Sequence, residues 1–180
     1  MDIDNKLWQF SVDFYAQPGV AEKLLTLQNE HAVSVNQVLF GFWLASENQA
    51  LTGLPAETDK AAKWHQQVVA PLRQIRFWLK QQRTDEQLKI ATVDCYRQLL
   101  EAELATEQVE LAFLFSNSIY YSAAAGPGNA LRSLALQNIN FCIENRAQST
   151  ADHQSNDAHR NTLVQTLLDK YCLMHPKVEE

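Results

Sequence analysis

The sequence predicts an all-α protein: a compact, single-domain bundle of about six to eight helices, most of them antiparallel neighbours. Apolar residues recur at helical spacing along most of the 180 residues, and this is the first observation behind the prediction. The second is that the connections between the periodic stretches are short and often carry glycine or proline. The third is the composition, 46% hydrophobic and 20% charged, which suits one domain with a substantial core.

Three helices are predicted before the first long polar stretch. Residues 5–16 carry an apolar face at helical spacing and predict the first helix. Pro18 is expected at the first position of the second helix, where its missing backbone N–H costs nothing. Ser34 and Gln37 have the spacing of a capping box and predict the start of the third helix. Because residues 35–44 are apolar over more than half of the circumference, this helix is expected at the centre of the fold.

The middle of the chain is predicted as a loop followed by long helical segments. Glycine and proline mark residues 48–57 as the loop. Helical periodicity then resumes, and Pro71 predicts a kink or a break near Ala70. Residues 84–115 continue the periodicity without glycine or proline, so they form either one long helix or two.

The composition of the last third of the chain changes twice. Residues 116–125 fit a strand or a helix, and the GPGN sequence at 126–129 predicts a turn. We expect the bundle domain to span 1–145 and the polar residues 146–160 to form a linker. Residues 161–180 then carry an amphipathic C-terminal helix, which docks either on its own bundle or on a partner protein.

Charge and composition exclude several functional classes. The formal net charge of -6 argues against binding to nucleic acid or to an anionic membrane, both of which need clustered positive charge. No apolar run approaches the roughly 18–20 residues that a membrane span requires. The N-terminus shows no export signal, and the three cysteines stand singly, so a cytoplasmic location is expected.

No familiar catalytic or metal-binding motif is present in the sequence. The five histidines form neither a Glu-x-x-His pair nor a His-Glu-x-x-His motif. The five glycines are not arranged as a phosphate-binding loop or a dinucleotide fingerprint. The sequence therefore predicts no catalytic, cofactor-binding or metal-ligating residue, and it disfavours an enzyme without excluding one.

A cluster of polar residues is the one candidate site. Its members are Gln28, Asn36, Arg73, Arg76, Glu103 and Glu107. Arg73 and Arg76 share one helix face, as do Glu103 and Glu107, so the arginines meet the carboxylates if the two helices are antiparallel neighbours. Such a cluster is either an ion-pair network that fixes the helix register or the lining of a pocket for a small anion or a partner's charged group.

A set of residues in the first two thirds of the chain resembles a known family. The set comprises Trp8-x-Phe10, Tyr15, Pro18-Gly19-Val20, Leu27-Gln28, Val35-Asn36, Leu39-Phe40, Trp43-Leu44, Trp64, Pro71-Leu72-Arg73-x-x-Arg76 and Glu101-x-Glu103-x-x-x-Glu107. In this order and spacing it is similar to an uncharacterised proteobacterial family of conserved hypothetical proteins that contain a domain of unknown function. The resemblance covers about residues 8–115 and implies a cytoplasmic bacterial protein, but it implies no activity, cofactor or site. The sequence departs from the family at Ser34, where an aspartate is usual, and beyond Asn117.

Two functions follow as hypotheses. The first is a non-catalytic, cytoplasmic adaptor or regulatory module that binds a protein partner, and it follows from the missing catalytic motifs and the amphipathic last helix. The alternative is a helical bundle that binds a small ligand, or an enzyme, with a polar site near Asn36, Arg73, Arg76 and Glu103.

Overall fold

The computed structural model describes the following parts of the chain: 1–82, 84, 86–125, 130–147 and 157–175. They fall into two units. We call Met1–Ile3 together with Pro55–Ser116 the middle unit, and Asp4–Leu54 together with Asn117–Glu180 the terminal unit.

Helices dominate both units, which confirms the all-α prediction. In chain order the described elements are α1 (Lys6–Tyr15), α2 (Val20–His31), α3 (Val35–Ser46), β1 (Gln49–Leu51), α4 (Lys60–Trp64), a π-helical turn (His65–Val69), α5 (Ala70–Gln82), α6 (Glu86–Ala91), α7 (Val93–Ser116), α8 (Ser118–Tyr121), β2 (Ser122–Ala124), α9 (Leu131–Ala147) and α10 (Asp157–Met174). None of the described helices is both long enough and apolar enough to cross a membrane.

The two units divide the chain differently from the predicted domains. Residues 1–145 contribute to both units, because Pro55–Ser116 of the middle unit lies in the chain between the two parts of the terminal unit. The last helix begins at Asp157, inside the predicted linker 146–160. The turn predicted at 126–129 lies outside the described residues.

Polar side chains cap α1 and α3. The side chain of Asn5 accepts hydrogen bonds from the backbone N–H groups of Leu7 and Trp8, at 3.0 and 3.1 Å. Ser34 begins α3 as predicted, because its hydroxyl accepts a hydrogen bond from the backbone N–H of Gln37. Each cap satisfies a backbone donor that has no partner inside the helix.

The prediction that Pro18 opens α2 is wrong. The helix begins at Val20, and Gly19 precedes it with a φ of 84°. This left-handed conformation is open to glycine and costly for residues with a Cβ atom. The chain therefore turns at Gly19 before the helix starts, and Pro18 lies outside the helix.

A small antiparallel sheet was not predicted. β1 pairs with β2, with Gln49 opposite Ala124. The loop predicted over 48–57 is therefore wrong for residues 49–51. The segment 116–125, which the sequence left open between helix and strand, contains both α8 and β2. Strands of three residues are too short to show a period of two, so neither segment carries a local signal.

A buried amide on α9 joins this sheet to α3. Asn138 is fully buried, and its side-chain oxygen accepts a hydrogen bond from the backbone N–H of Leu51 at 2.8 Å. Its amide nitrogen donates to the carbonyls of Gly41 at 3.0 Å and Gln49 at 3.1 Å. At Gly41 the two helices approach so closely that a Cβ atom would lie 3.3 Å from Cδ1 of Ile139. Asn138 thus satisfies backbone groups of two elements at once.

The core of the terminal unit includes an aromatic group that joins three helices. Phe14 of α1 and Phe42 of α3 have ring centroids 4.9 Å apart, and Phe42 and Tyr171 of α10 are also 4.9 Å apart. α10 packs against α2 and α9. Leu163 and Leu167 of α10 belong to the same buried cluster. The last helix is therefore part of the core of this unit.

The helix at Pro71 continues through a π-helical turn. A proline in a helix interior removes one hydrogen bond and clashes with the carbonyl four residues earlier. Here His65–Val69 form a π-helical turn, and α5 begins at Ala70 without an interruption. The alternative of a break is therefore wrong, and the helix is instead disturbed by the π-helical turn, a feature at which helices commonly kink.

Residues 84–115, which the sequence left open between one helix and two, form two. α6 ends at Ala91, α7 begins at Val93, and Thr92 lies between them. The carbonyl of Leu88 accepts hydrogen bonds from both the hydroxyl and the backbone N–H of Thr92, at 2.7 and 3.0 Å, so backbone hydrogen bonding of helical type continues across the junction.

We expect Asn138→Ala to lower the free energy of unfolding by at least about 2 kcal/mol, because it leaves buried backbone groups of Leu51, Gly41 and Gln49 without this partner. Asn140→Ala is the matched control on the same helix, and its exposed side chain predicts a change within about 0.5 kcal/mol. Urea unfolding followed by circular dichroism measures both. Equal unfolding midpoints for the two variants would show that the buried amide is dispensable.

Candidate functional site

Four of the six residues of the predicted polar cluster come together in the middle unit. α5 and α7 pack against each other, with Arg73 and Arg76 on α5 and Glu103 and Glu107 on α7. The helices are antiparallel, since Arg76 meets Glu103 and the earlier Arg73 reaches Glu107 as well. We call these four residues the ion-pair network.

Glu103 is the centre of the ion-pair network. Its Oε1 accepts hydrogen bonds from Nε of Arg73 at 2.9 Å and from Nη2 of Arg76 at 3.1 Å. Its Oε2 accepts from Nε of Arg76, which makes the Arg76 contact bidentate. Arg73 also donates through Nη2 to Oε1 of Glu107. Bidentate guanidinium–carboxylate pairs fix geometry more tightly than single contacts do.

Glu103 and Arg76 are both buried, and their burial and mutual contacts determine their pKa values. Glu103 is 5% exposed and Arg76 is 9% exposed. Burial alone would raise the pKa of the Glu103 carboxyl, but hydrogen bonds from Arg76 and Arg73 and their positive charges outweigh it and lower the pKa. The hydrogen bond to Glu103 raises the pKa of Arg76. Both groups are therefore held in their charged forms.

The pKa of Glu107 is shifted in the opposite direction, above its ordinary value. Burial raises the pKa of its carboxyl, the nearby negative charges of Glu103 and Glu110 raise it further, and Arg73 only partly offsets them. The two carboxylates thus have different roles although both contact Arg73. Glu103 is stabilised as an anion, and Glu107 lies at the edge of the ion-pair network with a weaker hold on its charge.

Two further contacts extend the same interface, and sequence reasoning missed them. Nδ1 of His65 lies 3.1 Å from Oε2 of Glu110. The indole N–H of Trp64 donates to the carbonyl of Thr106 at 2.9 Å. Sequence spacing gave no signal for these contacts, because the antiparallel register that pairs Arg73 with Glu103 and Glu107 would place residues 64 and 65 opposite about residues 113–115.

The other two predicted residues lie in the terminal unit. Gln28 is half-buried on α2, and Asn36 is buried in the first turn of α3. Sequence reasoning also missed a group in this unit, formed by Glu30 and His31 on α2 and His159 on α10. These three residues come together only because α10 docks on α2, so no local sequence motif predicts the group.

Comparison with known proteins identifies a family and no close relative. Residues 6–114 match the model of the family described as Protein of unknown function (DUF2390), which confirms the resemblance to an uncharacterised family. The match covers more than half of the chain and includes the whole ion-pair network. No curated protein and no solved structure matches the chain.

We expect Glu103→Gln to lower the free energy of unfolding by roughly 3–5 kcal/mol, because it leaves buried Arg76 without its counter-charge. The pKa of Glu103 is lower in the folded state, so its contribution is complete above its ordinary value of 4.5 and is lost as the pH falls through the folded-state pKa. Chemical unfolding at several pH values should therefore show the difference between wild type and variant shrinking below about pH 4.5.

Glu101→Gln is the matched control for this experiment. Glu101 is exposed on α7 and pairs with Arg97 at 3.0 Å, a contact that solvent screens and that contributes little to stability. A buried ion pair would be contradicted if the difference in free energy of unfolding between wild type and Glu103→Gln did not change with pH. It would also be contradicted if Glu103→Gln lowered that free energy no more than the control does.

Proposed function

We propose that this chain, which belongs to the DUF2390 family of proteins of unknown function, is a non-catalytic module that binds a partner protein through exposed apolar side chains of its middle unit. The observation that carries the proposal is the exposure of Trp78, which is 61% exposed on α5. Tryptophan is the residue type most enriched among the energetically dominant positions of protein interfaces.

Trp78 is one of a group of exposed large apolar side chains. The group comprises Ile75, Trp78, Leu88, Ile90, Val93, Leu100 and Leu104, and we call it the 75–104 apolar group. Single exposed apolar residues are ordinary, but a concentration of them in one stretch of chain points to an interaction site. α6 belongs to this stretch, and none of its residues is buried.

Within the helices these side chains recur at spacings that suit a helical partner. Val93, Leu100 and Leu104 follow at i, i+7 and i+11 along α7 and so form one stripe. Ile75 and Trp78 are three residues apart on α5. An amphipathic helix that lays its apolar face on such a stripe is a recurrent mode of recognition.

The charges of this segment favour an apolar partner over a polyanion. Residues 75–104 contain five Lys and Arg and five Asp and Glu, whereas the whole chain has a formal net charge of -6. Several exposed charges pair within their own helix, Lys89 with Glu86 and Arg97 with both Asp94 and Glu101. The partner is therefore selected by apolar surface, and we propose an amphipathic helix of another protein.

The location proposed for this activity is the cytoplasm. Cys95, Cys142 and Cys172 are all free cysteines, and single free thiols are typical of proteins kept in a reducing compartment.

The alternative of a small-ligand site or an enzyme near Asn36, Arg73, Arg76 and Glu103 has less support. The guanidinium groups of Arg73 and Arg76 donate to the carboxylates of Glu103 and Glu107, so their charges are matched within the ion-pair network. An anion would have to displace a buried carboxylate to reach them, which costs several kcal/mol.

The test is affinity capture of the full chain from a lysate of the organism that encodes it, followed by quantitative mass spectrometry. Trp78→Asp should reduce recovery of the partner by about tenfold or more, since an interface tryptophan commonly contributes about 2 kcal/mol or more. Ile119→Asp is the control, because Ile119 is also an exposed large apolar residue, 75% exposed, but lies in the terminal unit.

Circular dichroism establishes that both variants fold. A partner recovered equally with wild type and Trp78→Asp, or lost equally with Ile119→Asp, would contradict the proposed surface. Recovery of the chain alone would contradict the function itself.

A further inference from the structure

Three potential metal ligands meet where the end of α2 lies against the start of α10. Glu30 and His31 are the last two residues of α2, and His159 is in the first turn of α10. One possible ligand atom from each residue lies within 4.8 Å of the other two. The imidazole rings of His31 and His159 have centroids 5.7 Å apart and are tilted by 55°.

The spacing suits a small, four-coordinate metal ion. A tetrahedral zinc ion at about 2.0–2.1 Å from each ligand sets the ligand atoms roughly 3.3 Å apart. Nδ1 of His159 is 3.5 Å from Oε2 of Glu30, which is close to that separation. The ligand atom of His31 lies within 4.8 Å of the other two, at most about 1.5 Å beyond that separation.

The chemistry of the three side chains restricts which metal ions can bind. Two imidazoles and one carboxylate are borderline donors that suit zinc and neighbouring divalent transition metals, whereas calcium and magnesium prefer oxygen ligands alone. We propose that Glu30, His31 and His159 form a binding site for a divalent transition metal, zinc above all. Three protein ligands leave the fourth position for water or for a ligand supplied by another molecule.

Local electrostatics and access also favour a cation here. His31 ends α2, whose C-terminus carries a partial negative charge of about half an elementary charge, and the N-terminus of α10 near His159 carries a positive charge of the same size, so the two helix dipoles offset each other. The Glu30 carboxylate adds a full negative charge. The nearby cation Arg160 pairs with Asp157 at 2.8 Å, which reduces its repulsion of the metal. Glu30 and His159 are both exposed, so an ion reaches the site from solvent.

A metal at this position would connect elements that are far apart in the chain. α10 otherwise docks on α2 through apolar residues such as Leu163 and Leu167, which lie in the same buried cluster as Leu24 and Leu27. Because the complete ligand set exists only when α10 is docked, metal binding would stabilise the docked helix by mass action. The inference is independent of the proposed interaction surface, since its residues lie in the terminal unit.

The test is titration of the tag-free, metal-free full chain with zinc chloride by calorimetry, and with cobalt(II) by visible absorption. Wild type should bind one zinc ion per chain, and cobalt should show the strong absorption of a tetrahedral site. His159→Ala should weaken binding by at least about tenfold, because loss of a ligand costs no less than loss of a second-shell partner. The side chain of His159 is 48% exposed, so the variant should keep the fold.

Two variants serve as controls. Glu22→Gln removes another exposed carboxylate from α2, and His65→Gln removes half of the His65–Glu110 pair in the middle unit. Both should bind zinc as wild type does. Zinc should also raise the melting temperature of wild type but not that of His159→Ala.

Absence of saturable zinc binding would overturn the proposal. So would an affinity that His159→Ala leaves unchanged or that His65→Gln reduces by the same factor.

Discussion

The middle unit depends on one buried carboxylate, that of Glu103. Removing a carboxylate from water costs several kcal/mol, and hydrogen bonds and charge from Arg73 and Arg76 offset this cost. Arg73 and Arg76 reach Glu103 in only one register of α5 against α7. If α5 moved along α7 by one helical turn, about 5.4 Å, Glu103 would be buried without its cations. Apolar side chains of similar volume would give comparable stability but would tolerate such a slide. We expect the ion pairs to contribute the uniqueness of the pairing more than its strength.

The fold was predictable wherever the signal is local. Ser34 and Gln37 lie within one helical turn, so their capping geometry can be inferred from spacing alone. Asn138 shows the limit of this reasoning, because the sequence presents it only as one of several amides on a helix. Its partners are backbone groups of β1 and α3, and only the tertiary structure identifies them. Pro71 is an intermediate case, since it indicates where the helix is disturbed but not that a π-helical turn forms.

The same distinction explains which site residues could be found. The arginines and glutamates of the ion-pair network each repeat at three or four residues, so each helix face was predictable and only the pairing of the two helices had to be assumed. His159 offers no such repeat. Its proximity to Glu30 and His31 results from the docking of α10 on α2, which depends on apolar side chains spread over both helices.

The exposure of α6 connects the proposed function to the physics of short helices. Isolated helices shorter than about 12–15 residues are marginal in water, and α6 has six residues with none buried. Ile90, which is 69% exposed, therefore has the most apolar surface of this helix to bury when another surface covers it, whereas Leu88 is 39% exposed. A partner that binds there would stabilise the helix, and part of its binding energy would be used to order it. The ion pairs of Glu103 meanwhile join α5 to α7, so the middle unit combines two paired long helices with a short connecting helix whose stability depends on what it contacts.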